Sequence, residues 1–411
     1  MLYNLLTFTK KHSLERKFNV MKNLIFVSNY INHHQLPLAQ EFINIYGENF
    51  TFIAMTPFNQ ARLNIGYKDL NSLPFVLRAY ESSEAMSQAR RLIDESECII
   101  AGGVPVNVIS SRLKAGKLTF MQSERFFKGP FLRKDLGRFV KYLMYKGGRW
   151  AARSKSSKFY LLCESAFAAW DYNLCGLFRH KAYRWGYFPE LKQYDDIDNL
   201  ISRKKTASIL WVGRFIDWKH PELAIKLAKN LRDSNINFSL KIIGSGKMLD
   251  ELANMINALN LNDCVEIPAQ GKGLPVDEVR REMENSQIFL FTSDRGEGWG
   301  AVTNEAMNSA CAIIAGEKIG SVPYLIQDNH NGLIFRNKDI NDLTRKVISL
   351  LQNPDRISEL GRAAYHSINT LWNARTAAQR FIKLSEALRL SESNEPVNLY
   401  DDGPCSIAPV I

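Results

Sequence analysis

Short apolar runs separated by stretches of helical spacing recur along most of the chain. Asn23–Ser28 (NLIFVS) reads as a buried strand and passes through the polar Asn29–Gln35 into LPLAQEFINIY, whose apolar residues fall on one helical face. Further strands are predicted at Thr51–Met55, Cys98–Ala101, Leu118–Met121 and Phe159–Cys163, with helical patterns between them. Such alternation predicts a parallel, doubly wound α/β sheet. The pattern fades over Leu191–Lys205, where charge replaces apolar periodicity and a domain boundary belongs. It then restarts, with strands in ASILWVG, FSLKIIG, CVEIP, QIFLFTS, CAIIAG and GLIF, and a helical pattern from Asn337 to Leu390.

This gives an extension at 1–20, a first domain at 21–190, a linker at 191–205, a second domain at 206–370, a helix at 371–391 and a tail at 392–411. A length of 411 residues exceeds one ordinary core and agrees with two. Met1–Val20 has a brief apolar start followed by basic residues, the reverse of a secretory signal, and Met21 stands directly before the first strand. Either methionine is a candidate start. No apolar run approaches the ~18 residues that cross a bilayer. The six cysteines are scattered without close pairing, which fits reduced thiols and a cytoplasmic compartment.

Charge alters the picture in the first half. Residues 1–190 hold 27 Lys+Arg against 14 Asp+Glu, whereas 191–411 hold 26 against 28. Within Arg112–Lys158 there are 14 basic residues and two acids, Glu124 and Asp135, interleaved with aromatics. A surface of that kind attracts phosphates or an anionic membrane, which suggests a peripheral position on the inner face of the cell membrane. The alternative for Arg133–Arg153 is a helix packing its apolar face on its own domain. Nucleic acid is not expected, because no helix-turn-helix, zinc finger or RNP-like pattern is present.

Candidate chemistry collects where strands end, since ligands of open α/β sheets bind at the carboxyl edge. After QIFLFT, the stretch Ser293–Ala310 carries Glu297 in a loop with Gly298, Trp299 and Gly300, and Glu305 in the following helix. Glycines allow close backbone approach, and the two carboxylates are placed to grip different parts of one ligand. Arg214 and Lys219 stand in the loop after ASILWVG as fixed charges for a diphosphate, and the null for each is an ordinary surface base. Gly244 and Gly246, after FSLKII, are donor-binding candidates, although they complete no GxGxxG. In the first half, His33 and His34 follow the first strand, either as donors to a phosphate or sugar hydroxyl or as part of a capping loop. Glu124 follows the strand at Leu118–Met121, either in an ion pair with a neighbouring base or as a holder of acceptor hydroxyls. Asp196-Ile197-Asp198 spells a metal-binding triplet, but its place in the linker predicts a solvated acidic loop; no metal site is expected.

WVGRFIDWKHPELAI, LKIIGSGKMLDEL, FLFTSDRGEGWGAVTNEAM and GSVPYLIQDNHNGLIF, in that order, resemble the retaining, metal-independent glycosyltransferases of the GT-B fold, the group called family four or group 1. The resemblance implies two Rossmann-like domains facing across a cleft, with a C-terminal helix crossing back to the first. It implies a nucleotide-sugar donor as substrate, no cofactor, and a saccharide or lipid-linked acceptor. By the resemblance, Arg214 and Lys219 hold the donor diphosphate, Glu305 the ribose, and Glu297 with the backbone of Gly298–Gly300 the transferred sugar. SER at Ser123–Arg125 and RWGYFP are similar to enzymes that build bacterial surface polysaccharides. The Gly-Gly turn usual after the first strand is replaced by SNYINHHQ, and NSACAIIAG stands for the usual Cys-Gly-x-Pro. A sugar phosphorylase or sugar-nucleotide epimerase shares this architecture, and an inactive binding module is the rival from another class.

Overall fold

The computed structural model describes residues 21–63, 68–128 and 158–411. The Met1–Val20 extension and the basic Arg133–Arg153 segment lie outside the described residues. Among them, two parallel sheets form. The first comprises β1 (Leu24–Ser28), β2 (Phe50–Ala54), β3 (Val76–Arg78), β4 (Cys98–Gly102), β5 (Thr119–Ser123), β6 (Phe159–Cys163) and β7 (Ala182–Arg184), in the order β3-β2-β1-β4-β5-β6-β7. The second comprises β8 (Lys205–Val212), β9 (Ser239–Ile243), β10 (Val265–Glu266), β11 (Ser286–Phe291), β12 (Ala312–Gly316) and β13 (Leu333–Phe335), in the order β10-β9-β8-β11-β12-β13. β1, β4 and β6 are buried at every position, as strands covered on both faces by helices must be, and this explains their unbroken apolar runs. This is the GT-B arrangement of two Rossmann-like units.

Strands β3 and β7 have three residues each, too few for a hydrophobic period to register, and they were not anticipated. The expected solvated loop at Asp196–Asp198 is instead a capped helix, Ile197–Ser202. Asp196 accepts from Asn199 N at 2.9 Å, and Asp198 takes Arg362 Nε and Nη2 at 2.8 and 2.6 Å. Both acids are thereby used structurally. Lys204, at the end of the expected linker, is buried, and its ammonium donates to the carbonyls of Met283, Glu284, Ser286 and Ser309.

Helix Ala374–Leu390, capped by Asn373 through Thr376 N at 2.8 Å, crosses back to the first sheet. Phe381 inserts between Phe120, Phe42 and Trp185, with ring centroids at 4.8, 5.7 and 5.8 Å. The stretch expected as a tail is docked as well. Ile407 bridges antiparallel to Tyr183, Cys405 N donates to Arg184 O at 2.8 Å, and Ala408 N to Ala182 O at 2.9 Å, so the edge of β7 is covered.

Of the basic residues expected to form a surface over Arg112–Lys158, three described ones are engaged inside the protein, Lys114 and Lys128 are exposed, and residues 129–157 lie outside the described residues. Arg112 is fully buried and donates to the carbonyls of Ile93, Ser96, Glu97 and Leu118. Arg125 is buried against Asp171 at 3.3 Å, and Lys158 donates to Arg389 O and Ser391 O, each at 2.8 Å. A sequence count cannot distinguish guanidinium groups that satisfy buried carbonyls from those facing water. Among the described residues no helix is long and apolar enough to cross a membrane.

Truncating Phe381 removes the contact that ties the crossing helix to the first sheet. Phe381→Ala is expected to lower unfolding stability by about 3–5 kcal/mol, read from denaturant midpoints.

Candidate active site

The carboxyl edges of β8 and β11 bring the second-half candidates together. The loop after β8 lies against the loop after β9: Gly213 N donates to Ile243 O at 3.0 Å and Phe215 N to Ser245 O at 2.8 Å. A Cβ on Gly244 would run into the Gly213 carbonyl, and Gly246 adopts φ +151° against the Phe215 backbone. Loop-on-loop packing therefore accounts for both of these predicted donor-site glycines. Arg214 is exposed, its guanidinium 5.6 Å from the Trp218 ring centroid. Lys219 is largely buried; its ammonium pairs with Glu297 and lies 5.8 Å from the Phe291 ring centroid. Ser293 Oγ donates to the same Glu297 oxygen at 3.2 Å.

Two further contacts clamp the β8 and β11 loops to each other. Thr292 Oγ1 donates to Lys219 O at 2.8 Å, and Asp294 N to Trp218 O at 2.9 Å. His220, left-handed at φ 49°, bridges Glu222 at 2.8 Å and Asp294 at 3.1 Å. Burial pulls its pKa down, but the hydrogen bonds to Asp294 and Glu222 prevail and raise it to about 9. Asp294 is correspondingly held down at about 2, where its burial is outweighed by bonds from His220, Gly296 N and Lys338.

Trp299 does not offer its indole to the cleft. The ring is fully buried, donates from Nε1 to Asn304 Oδ1 at 2.9 Å, and packs among Tyr187, Trp372 and Tyr324. Gly300 at φ +86° lets the chain turn against Phe291, where a Cβ would collide. Glu305 lies in helix Val302–Asn308, and Arg280 donates to its backbone oxygen at 3.2 Å and to Asn308 Oδ1 at 2.9 Å. Burial raises the Glu305 pKa and Arg280 moderates that rise. Among the described residues no hydrogen bond reaches its carboxylate, which leaves both oxygens open as acceptors.

From the first half, Glu124 reaches across the cleft to Gly298, where a Cβ would strike its carboxylate. Tyr187 Oη donates to Glu124 Oε1 at 2.5 Å, and Lys128 pairs with Oε2. His34 stacks on Tyr187 with ring centroids 3.9 Å apart and His33 meets His34 edge-on at 5.1 Å, so both histidines join this group. Glu164 also belongs here although sequence reasoning passed over it. It is buried at the end of β6, and burial with the nearby Glu124 charge raises its pKa well above the usual range. The signal lies in strand register rather than in the sequence: Ser123 and Cys163 are register partners on β5 and β6, so the glutamates that follow them stand side by side. Tyr187, inside RWGYFP, was read only as part of a boundary motif. Its phenol is pushed far up by burial and by Glu164 and Glu124.

The two halves close on each other through backbone as well. Ala166 N donates to Gly320 O at 2.8 Å, and Asn304 Nδ2 to Tyr187 O at 3.2 Å. Carboxylates from both domains, Glu297 and Glu124, thus flank one glycine turn, with Arg214, Lys219 and Glu305 on the second-half side. Among the described residues no group of three His, Cys, Asp or Glu is gathered to hold a metal ion.

Residues 193–367 match the family described as glycosyl transferases group 1. An uncharacterised glycosyltransferase of Methanocaldococcus jannaschii is 30% identical over 152 residues, 37% of this chain and 40% of that protein. A GDP-mannose-dependent alpha-(1-6)-phosphatidylinositol monomannoside mannosyltransferase of Mycolicibacterium smegmatis is 26% identical over 187 residues, 44% of this chain and 48% of that protein. The chain thus spans less than half the length of these curated relatives. The crystal structure of Anabaena Alr3699/HepE in complex with UDP and glucose superposes with TM-score 0.60 at 12% identity, over 88% of this chain and 98% of that one. That likeness shows the fold.

The His220 bridge makes stability depend on pH. Its folded pKa of about 9 lies above the ordinary 6.5, so its contribution is fully present below pH 6.5 and disappears as pH rises through 9. His220→Asn, which tolerates the left-handed backbone, is expected to melt below the parent at pH 6 by up to about 3 kcal/mol and to converge with it near pH 10. Parallel melting curves at each pH check this.

Proposed function

We propose, from the match of residues 193–367 to the glycosyl transferases group 1, that the chain moves a sugar from a nucleotide-diphosphate donor to a saccharide or lipid-linked acceptor. In this reading transfer proceeds with retention and without a metal ion, in polysaccharide or glycoconjugate biosynthesis. The observation that carries it is the Lys219–Glu297 pair joining the loops after β8 and β11, with Arg214 in the same loop as Lys219 and, in the following helix, a Glu305 carboxylate that no hydrogen bond reaches among the described residues.

Each group has a chemical task. A carboxylate with two open oxygens accepts both hydroxyls of a ribose, which suits Glu305. Lys219 and Arg214 supply fixed positive charge that can offset the charge developing on a departing nucleoside diphosphate. Because Lys219 is paired with Glu297, a bound diphosphate competes for the ammonium and frees Glu297 to face the sugar. Donor binding and exposure of that carboxylate become a single event. Glu124, held by Tyr187 and Lys128 on the opposite wall, is placed to hold an acceptor hydroxyl over the same turn.

UDP and GDP head the panel of probes, because one similar structure holds UDP and one relative uses GDP-mannose. Lys219→Ala and Glu305→Ala are each expected to cut acceptor-dependent nucleotide release by about 100-fold or more with melting temperature preserved. EDTA is expected to leave the parent rate unchanged. Full activity in both folded variants would remove these residues from the site, and a rate abolished by EDTA and restored by a divalent ion would overturn metal independence.

A further inference from the structure

A cavity of about 770 Å³ opens between the halves beside the Glu297 loop. Its lining includes Arg125, Lys128, Arg295, Lys318 and Lys338, and its only acidic side chain is Asp294, with Ile411 also on the wall. Arg214, Lys219, Glu297 and Glu305 do not line it, so it is separate from the groups assigned to the donor. Trp170 from the first half and Trp218 from the second also face it, each more than a third exposed.

Most of these cations already have partners. Arg125 pairs with the buried Asp171, Lys128 with Glu124, Lys338 with Asp294 at 3.1 Å, and Lys318 approaches Glu317 at 3.7 Å. Arg295 differs. Its Nη2 donates to Phe127 O at 3.4 Å, it meets no carboxylate among the described residues, and its Nε is buried without an acceptor there. It also stands near Arg125, whose pKa falls first through burial and further through the Arg295 charge. Asp294 gives no relief, because it is shared between Lys338 and a His220 that is protonated at neutral pH. A half-buried guanidinium whose Nε is buried without an acceptor among the described residues, on a cavity whose only acidic side chain is doubly engaged, is suited to take an oxyanion. Exposed indoles on the walls supply flat apolar faces for a sugar ring.

We propose that this cavity binds the acceptor, and that the acceptor is a glycan bearing an oxyanion, a phosphate or carboxylate, that engages Arg295 while a sugar ring lies against Trp170 and Trp218. The assignment rests on the transferase reading above and names the acceptor class for it. Lys318 and Lys338, exposed at the rim, raise the local concentration of such an anion.

The full chain is to be titrated, at saturating UDP or GDP so that the donor diphosphate site is filled, with glucose, glucose 6-phosphate, glucuronate and inorganic phosphate. Binding is followed by tryptophan fluorescence, with Trp170→Phe and Trp218→Phe identifying the reporting ring. At least one charged sugar is expected to bind about ten-fold or more tightly than glucose, with Arg295→Gln removing the difference and Arg295→Lys restoring part of it. Preference for glucose 6-phosphate, with competition by inorganic phosphate, assigns a phosphate; preference for glucuronate without that competition assigns a carboxylate. Equal binding of all three sugars, or a preference that survives Arg295→Gln, overturns the proposal. Melting shifts with UDP and GDP on the same samples separate the two readings. Nucleotide binding without charged-sugar preference overturns only the acceptor class, and charged-sugar preference without nucleotide binding keeps the cavity and overturns the transferase reading.

Discussion

One indole ring sets the geometry of the cleft. Trp299 is fully buried where the two halves meet, its N–H satisfied by Asn304, and it presses so closely on Gly186 that a Cβ there would enter the ring. Burying a side chain of this size dominates local energetics, and its polar edge demands a partner. Both ends of the donor-site loop follow from it. Glu297 lies two residues before the ring and Glu305 one residue beyond its hydrogen-bond partner, so neither can shift while the indole stays seated. Asn304 also donates to Tyr187 O, and Tyr187 holds Glu124. The same ring thereby indexes the wall opposite. A fully buried tryptophan in a loop of charged and glycine residues is otherwise hard to explain, since such a loop has no core of its own to fill.

Much of this architecture was readable because parallel strands buried on both faces leave long apolar runs. The two sheets follow from that pattern, while the crossing of the C-terminal helix came from the resemblance. The elements that escaped are those whose cause is non-local. β3 and β7 exist because neighbouring strands offer unpaired edges, and the stretch after Leu390 docks because β7 would otherwise be one. At the site, Arg214, Lys219, Glu297 and Glu305 were legible from spacing within strand-to-helix loops. Glu164 was not, because its significance comes from standing beside Glu124 on an adjoining strand, a relation that requires register. Gly244 and Gly246 have a second cause besides any ligand. They read as ligand-facing, yet contact between two loops already demands them.

The acid content of the cleft has a further consequence. The Glu124 carboxylate lies against Gly298, next in the chain to Glu297, with Glu164 buried near Glu124, and like charges brought together in this way repel. Two devices relieve this. Lys219 and Lys128 each take one carboxylate, and burial, with the Glu124 charge beside it, raises the Glu164 pKa well above the usual range and disfavours its charged form. The relief on the second-half side rests on Lys219 alone, with Ser293 adding a neutral hydrogen bond. A ligand that draws Lys219 away leaves Glu297 opposite Glu124 with one cation fewer, and positive charge at that position then becomes favourable. A glycosyl group losing its diphosphate develops such charge at the anomeric carbon. In the proposed transfer the same lysine would stabilise the departing anion and leave behind a field that stabilises the sugar cation, with no carboxylate needed as a base.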